Sequence, residues 1–216
     1  DLLYGKIRGA KQDEIEFRVI SRSFLGLLFR NSTGKNILHI HWATEIYGSN
    51  YLLKSIYLLL VNFLLIFVLK KIKNFRLVWT MHNFYAHDYP HPLMDKIGRR
   101  LLFNLADKII VHHQGHQKEL SRRYSTDKIE YIPHPSYAGV YGKVRVDKER
   151  IKKEFGYQDS DLVLLSLGMV RPYKKLDKII GAMNGVKDVR PDIKLLIAGL
   201  SKPDYLSSLQ VLSEHN

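Results

Sequence analysis

The chain has 216 residues, 45% of them apolar and 25% charged, which is ordinary for a globular protein and enough for one large or two small domains. It has no cysteine, which excludes disulfides and thiolate metal sites. The formal net charge of +13 favours acidic partners, whether nucleic acid, anionic lipid or phosphorylated ligands, without choosing among them.

In chain order, residues 1–10 read as a helix, 15–20 alternate as a strand, and 24–29 form a short apolar helix or loop. Residues 36–42 (NILHIHW) predict a strand, 51–73 a long helix, 76–81 a strand ending at His82-Asn83, and 93–105 a helix. Lys108–Val111 is the next expected strand, followed by a helix at 116–124 and a strand at 128–132 that runs into Pro133-His134-Pro135. A helix at 148–155 precedes Leu162–Leu167, whose nearly continuous apolar run suits a strand buried on both faces of a parallel sheet. Gly168 ends that run. Pro172 is placed to open a helix in which Leu176, Ile179, Ile180 and Met183 share one face. Ile193–Ala198 is the last expected strand.

This alternation predicts an α/β fold with parallel sheets. The stretch 133–146, rich in Pro, Gly and Tyr, marks a linker between two domains, 1–142 and 143–216. Both ends of the chain read as the middle of a helix, so the sequence is read as a fragment.

Two features carry candidate chemistry. The first is basic: Arg171, Lys174 and Lys175 are expected on the first turn of the helix opened by Pro172. Cations there oppose the helix dipole unless an anion is bound, in which case dipole, free amides and cations act together. The plain reading, solvated lysines on a Pro-started helix, stands beside it. The second is a set of histidines at expected strand ends: His41-Trp42, His82-Asn83, His112-His113 and His134. Open α/β sheets bind ligands beyond the carboxyl ends of their strands, so these residues predict a polar, aromatic-lined cleft.

The pairs His39-x-His41 and His87-x3-His91, and the group His112-His113-x2-His116, have ligand-like spacings. Pro90 and Pro92 break any helix that would align the second pair, and no acidic ligands cluster nearby, so no metal is expected. Walker A, GxGxxG and GxSxG motifs are all absent, and basic residues are not interleaved with aromatic ones as in nucleic-acid binders. Residues 56–69 (IYLLLVNFLLIFVL) are too short to span a bilayer. They read as a helix buried against a sheet or, alternatively, one dipped into a membrane surface with Lys70, Lys71, Lys73 and Arg76 behind it.

Several stretches resemble, in order, the retaining glycosyltransferases of family 4. They are NILHIHW (36–42), VWTMHNFYAHD (78–88), ADKIIVHHQGHQKEL (106–120), IEYIPHPSY (129–137), LLSLGMVRPYKKLDKIIGAM (164–183) and KLLIAGL (194–200). Each is loose alone; the ordered set is specific. The resemblance implies a GT-B-like fold of two Rossmann-like domains facing across a cleft, the second incomplete, with the acceptor on the N-terminal domain and a nucleotide-sugar on the C-terminal one. It implies transfer of a hexose with retention from a donor such as GDP-mannose or a UDP-hexose to a glycan or polyprenyl-linked acceptor, in polysaccharide or glycoconjugate assembly, without cofactor or metal. Arg171 and Lys174 match the pair on the donor diphosphate, Gly168 the donor-side glycine and His82 the histidine that reaches the transferred sugar. His41, Trp42, Asn83, His113 and His134 are assigned to the acceptor cleft.

Lys175 departs from the glycine usual after the lysine. The resemblance also implies a first strand before Asp1 and an acidic E-x7-E segment after Asn216, so the fragment as it stands is expected to be inactive. A cytoplasmic location is expected, peripheral at the inner membrane face through 51–73, with no nucleic acid bound. A GT-B nucleotide-sugar epimerase and a non-catalytic nucleotide-sugar-binding module are the alternatives, with a basic nucleic-acid binder third.

Overall fold

The computed structural model describes residues 24–29, 34–86, 89–124, 126–136 and 147–214. The helix read at 1–10, the strand read at 15–20 and His87 lie outside them. The chain divides into two compact units, Asp1–Tyr137 and Ala138–Asn216.

The first unit is built on four parallel strands in sequential order: β1 (Asn36–Ile40), β2 (Phe75–Met81), β3 (Lys108–Val111) and β4 (Ile129–Tyr131). Helix α1 (Leu25–Leu28) and helix α2 (Thr44–Tyr47) are short; α3 (Leu52–Lys71), α4 (Pro92–Leu105) and α5 (Gln114–Tyr124) are the crossovers. Parallel neighbours require such crossovers, and the strands are apolar because helices cover the sheet. Leu77, Trp79, Ile109 and Val111 are buried in the sheet, with Ile66 and Leu69 of α3 and Leu102 of α4 packed into the same core. Pro92 opens α4, where its missing N–H costs nothing. The far end of α4 is capped by two lysines: Lys70 Nζ donates to the Leu105 carbonyl, and Lys128 Nζ to those of Phe103 and Ala106. Lys70 also pairs with Asp107 at 3.0 Å.

Helix α3 spans 20 residues and is long and apolar enough to cross a membrane, which residues 56–69 alone are not. One face nevertheless packs as a layer helix. Leu59, Phe63, Ile66 and Leu69 are buried, and Asn62 donates to the Ile46 carbonyl at 2.6 Å. Opposite them Leu53, Tyr57, Leu60, Leu64 and Phe67 form an exposed stripe, between 48% and 81% accessible.

The second unit holds α6 (Lys148–Glu154), the parallel pair β5 (Leu162–Leu167) and β6 (Ile193–Ala198), and helices α7 (Leu176–Lys187) and α8 (Pro203–Glu214). Asp147 caps α6 by accepting from the Arg150 amide at 3.0 Å. Val170, Leu176, Ile180 and Leu209 form its core, joined by Leu195 and Ile197. The expected burial of β5 on both faces does not hold: Leu162, Leu164, Leu165 and Leu167 are 44% to 73% exposed. The reason lies in the packing. The helices α7 and α8 pack on each other and α7 on β6, and β5 has a single neighbouring strand among the described residues.

Candidate functional site

Two constellations, one in each unit, hold the residues singled out from the sequence. In the first unit the parallel register sets Met81 beside Val111 and Val111 beside Tyr131. The chain therefore leaves β2, β3 and β4 at the same edge, and β1, with Ile40 beside Trp79, delivers His41 there too. The Trp42 and His82 rings stack at 4.5 Å, His82 lies 5.2 Å from His112, and His112 stacks on His134 at 3.8 Å. His41 Nδ1 is 3.2 Å from His82 Nε2, and the His39 ring lies 4.4 Å from that of His41, one strand period back. His39 Nε2 is anchored 2.8 Å from Thr80 Oγ1.

Of the expected strand-end residues, His41, Trp42, His82, His112 and His134 come together. His113 does not join the stacked rings: its Nδ1 accepts from the Gly115 amide at 3.1 Å and its ring faces His116 at 5.3 Å. Asn83 lends the site its backbone, its carbonyl accepting from Arg99 at 2.6 Å. His91 lies elsewhere, bonded to the Asn50 carbonyl.

Burial first, and then mutual repulsion, lowers the His39 and His82 pKa to about 4, and His41 is lowered as well by burial and by His112. These rings are therefore neutral at pH 7, a flat aromatic surface with hydrogen-bonding edges that suits a neutral polar ligand. The sign of the linkage follows. The unfolded chain holds its histidine protons from about 6.5 downward and the folded one only from about 4. Stability present above pH 6.5 is thus lost as pH falls through that window. In metal-free buffer the melting temperature is expected to drop between pH 6.5 and 5, above the carboxylate range; a flat profile there would refute neutral burial of the cluster.

A bracing network behind the site was not read from the sequence. Asp95, 4% exposed, accepts from Tyr47 Oη at 2.7 Å, from Arg99 Nε at 2.9 Å and from the Ala86 amide at 3.0 Å. With the Arg99 bond to the Asn83 carbonyl, these contacts hold the loop that follows His82. The spacing Asp95-x3-Arg99 on an expected helix was the available signal; the Tyr47 partner had none.

In the second unit the basic residues sit differently from expectation. Pro172–Lys174 form a single 3-10 turn, and the α-helix starts only at Leu176. Lys175 stands between them in the left-handed conformation, φ 56° and ψ 40°, which breaks one helical path into two. Arg171 and Lys174 therefore precede α7 instead of riding on its first turn, where the charged residues are Asp177 and Lys178. Both are half-buried, and neither makes an ion pair among the described residues.

The strand end beneath them is tight. Gly168 has φ +115°, and a Cβ there would lie 3.4 Å from Lys174 Nζ, so the amine is folded back over the strand end. A Cβ on Gly199 would meet the Gly168 carbonyl at 1.8 Å, so the ends of β5 and β6 can close on each other only through glycine. Left-handed Lys175 carries the strain that glycine would not. Lys175→Gly is expected to stabilise this unit by about 0.5–1 kcal/mol in urea unfolding, the strain relieved offset by the entropy glycine adds to the unfolded chain. A loss of stability would show that the lysine side chain does more there than tolerate the turn.

No protein-family model matches the chain. Over 122 residues it is 28% identical to the D-inositol 3-phosphate glycosyltransferase of Segniliparus rotundus, covering 56% of this chain and 27% of that protein. Its fold matches that of Anabaena HepE in complex with UDP and glucose, with a TM-score of 0.52 at 15% identity over 74% of this chain and 42% of that one. HepE in complex with UDP-glucose gives a TM-score of 0.53 at the same identity, over 74% and 43%. The chain thus spans about a quarter of the curated relative and under half of the solved structures. The fold is α/β with parallel sheets, similar to that of GT-B glycosyltransferases, as expected from the sequence.

Proposed function

We infer that this chain is part of a retaining glycosyltransferase, which moves a hexose from a nucleotide-diphospho-sugar to a glycan or lipid-linked acceptor in polysaccharide or glycoconjugate assembly. The observation that carries this reading is the two half-buried cations Arg171 and Lys174, which lie just before α7 without an ion-pair partner among the described residues, with Lys174 Nζ folded over the Gly168 strand end. Support comes from the likeness to a D-inositol 3-phosphate glycosyltransferase and to HepE, which is seen with UDP-glucose.

In the reaction proposed, the bond from the anomeric carbon to the diphosphate oxygen breaks with oxocarbenium character. Negative charge grows on the leaving diphosphate. Arg171 offers it a planar fork and Lys174 a mobile point charge, with the first amides of α7 adding to both. Fixed charges of this kind need no reorganisation as the bond breaks, which is why they act on the barrier. The acceptor hydroxyl attacks the same face and passes its proton to the departing diphosphate oxygen, so configuration is retained. The neutral imidazole of His82 is assigned to the transferred sugar, and His41, Trp42, Asn83, His113 and His134 to the acceptor. Residues 1–142 form the acceptor side and 143–216 the donor side. The transfer step is assigned no cofactor.

The experiment is to incubate the full-length protein with GDP-mannose or a UDP-hexose, with and without an acceptor glycan. Glycosidic product formed only with acceptor, and of retained configuration, supports the reading. Isomerised or hydrolysed donor without transfer would replace it by the epimerase, and binding without turnover by the non-catalytic module.

The exposed stripe of α3 supports, on this reading, a peripheral location at the inner membrane face of the cytoplasm. A helix apolar all round needs cover on both sides, and the sheet supplies one. Lys71 and Arg76, exposed nearby, favour anionic lipid. Leu60→Glu is expected to weaken co-sedimentation with anionic vesicles by about tenfold or more, the scale of one buried leucine. Unaltered binding would remove the stripe from the membrane contact.

A further inference from the structure

We propose that His82, His112 and His134 form a binding site for one divalent transition-metal ion, Zn2+ foremost. Each offers one ring nitrogen, and the three nitrogens lie within 4.8 Å of one another. None of the local spacings in the sequence predicts this set, because its members leave three neighbouring strands: His82 follows β2, His112 follows β3, and His134 lies just beyond β4. The parallel ladder fixes the separation of the His82 and His112 backbones, and Ile132, whose amide bonds the Val111 carbonyl at 3.0 Å, leads His134 to the same edge. Bonds of 2.0–2.1 Å in a tetrahedral site require nitrogens about 3.3 Å apart, which small ring rotations can supply.

Two rings already have the outer hydrogen bonds that metal-bound imidazoles use. His112 Nδ1 lies 2.7 Å from the Ile132 carbonyl. A carbonyl only accepts, so Nδ1 carries the proton and Nε2 keeps its lone pair for a metal. His82 Nε2 lies 3.2 Å from His41 Nδ1; with His82 as donor, its Nδ1 retains the ligating lone pair and His41 becomes the orienting partner. His134 is exposed and gives an ion a route in from solvent.

No carboxylate belongs to the group, so a bound ion has three neutral imidazoles and one open position for water or an anionic ligand. Imidazole donors without oxygen or thiolate select Zn2+, Cu2+, Ni2+ or Co2+ over Mg2+ and Ca2+. The site stands independently of the transferase reading. Should both hold, metal and sugar compete for His82, and the ion acts as an antagonist.

The test uses tag-free, chelator-stripped protein titrated with Zn2+ by calorimetry and with Co2+ by visible absorption. One equivalent is expected to bind, with the strong absorption of four-coordinate Co2+. Affinity should fall at least about 100-fold in His112→Ala and in His134→Gln, more than the 10–100-fold cost of losing an outer partner, which is the expectation for His41→Phe. His91→Ala, bonded away from the cluster, should bind as the parent does. His134→Gln, at an exposed position, keeps the test decisive should His112→Ala fail to match the parent's circular dichroism. Absence of stoichiometric binding, or an affinity equal in the parent and in His134→Gln, would overturn the site.

Discussion

Replacing Arg171 or Lys174 by alanine in the full-length protein is expected to lower kcat for sugar transfer by about 10²-fold or more, the scale of losing one group that stabilises developing charge. The physical basis is that both cations are half-buried, lack carboxylate partners among the described residues and belong to the turn between β5 and α7. A cation with no internal partner gains most when a diphosphate arrives, because no existing ion pair must first be broken. Its interaction also strengthens as the leaving group gains charge, so the loss should appear in kcat and not in KM alone. Lys187, exposed in the last turn of α7, is the control: Lys187→Ala should change turnover less than about twofold, as one distant, screened surface charge does. Steady-state kinetics of the three variants decide the matter, and equal kinetics in all of them would remove the diphosphate role.

Asp95→Ala is expected to destabilise the first unit by about 3–5 kcal/mol, the cost of stranding a buried charge. Arg99 would lose the carboxylate bonded to its Nε, Tyr47 its hydroxyl acceptor and the Ala86 amide its partner, all at once. Both tryptophans of the chain, Trp42 and Trp79, lie in this unit, so urea unfolding followed by tryptophan fluorescence reports on it selectively. The same variant should loosen the loop after His82, since Arg99 holds the Asn83 carbonyl. A loss below about 1 kcal/mol would mean that water replaces the carboxylate at little cost.

The architecture was legible because its signals are local. Apolar runs marked every described strand, and the expected ends of β3 and β6 match the structure residue for residue. Convergence of the strand-end histidines followed from parallel order alone, since parallel strands bring their carboxyl ends to one edge. What failed depended on geometry finer than a motif. His112 and His113 differ by one position, and beyond a strand a single residue decides which side the ring takes. The strand-end reading named both, and the resemblance kept only His113 for the acceptor cleft, while it is His112 that stacks in the cluster. Pro172 correctly marked a helical start, but the left-handed Lys175 that splits the 3-10 turn from α7 has no composition signal, glycine being the residue usual in that conformation. The exposure of β5 was likewise illegible, because an apolar run states what a strand needs and not what covers it.

The central claim, that the turn between β5 and α7 receives a nucleoside diphosphate, is tested most directly by equilibrium binding. Full-length protein and its Arg171→Ala/Lys174→Ala variant would be titrated with UDP and GDP, and each with the matching monophosphate. Binding of one diphosphate more tightly than its monophosphate, with that preference abolished in the variant, is the predicted result. A diphosphate preference that survives loss of both cations would contradict it.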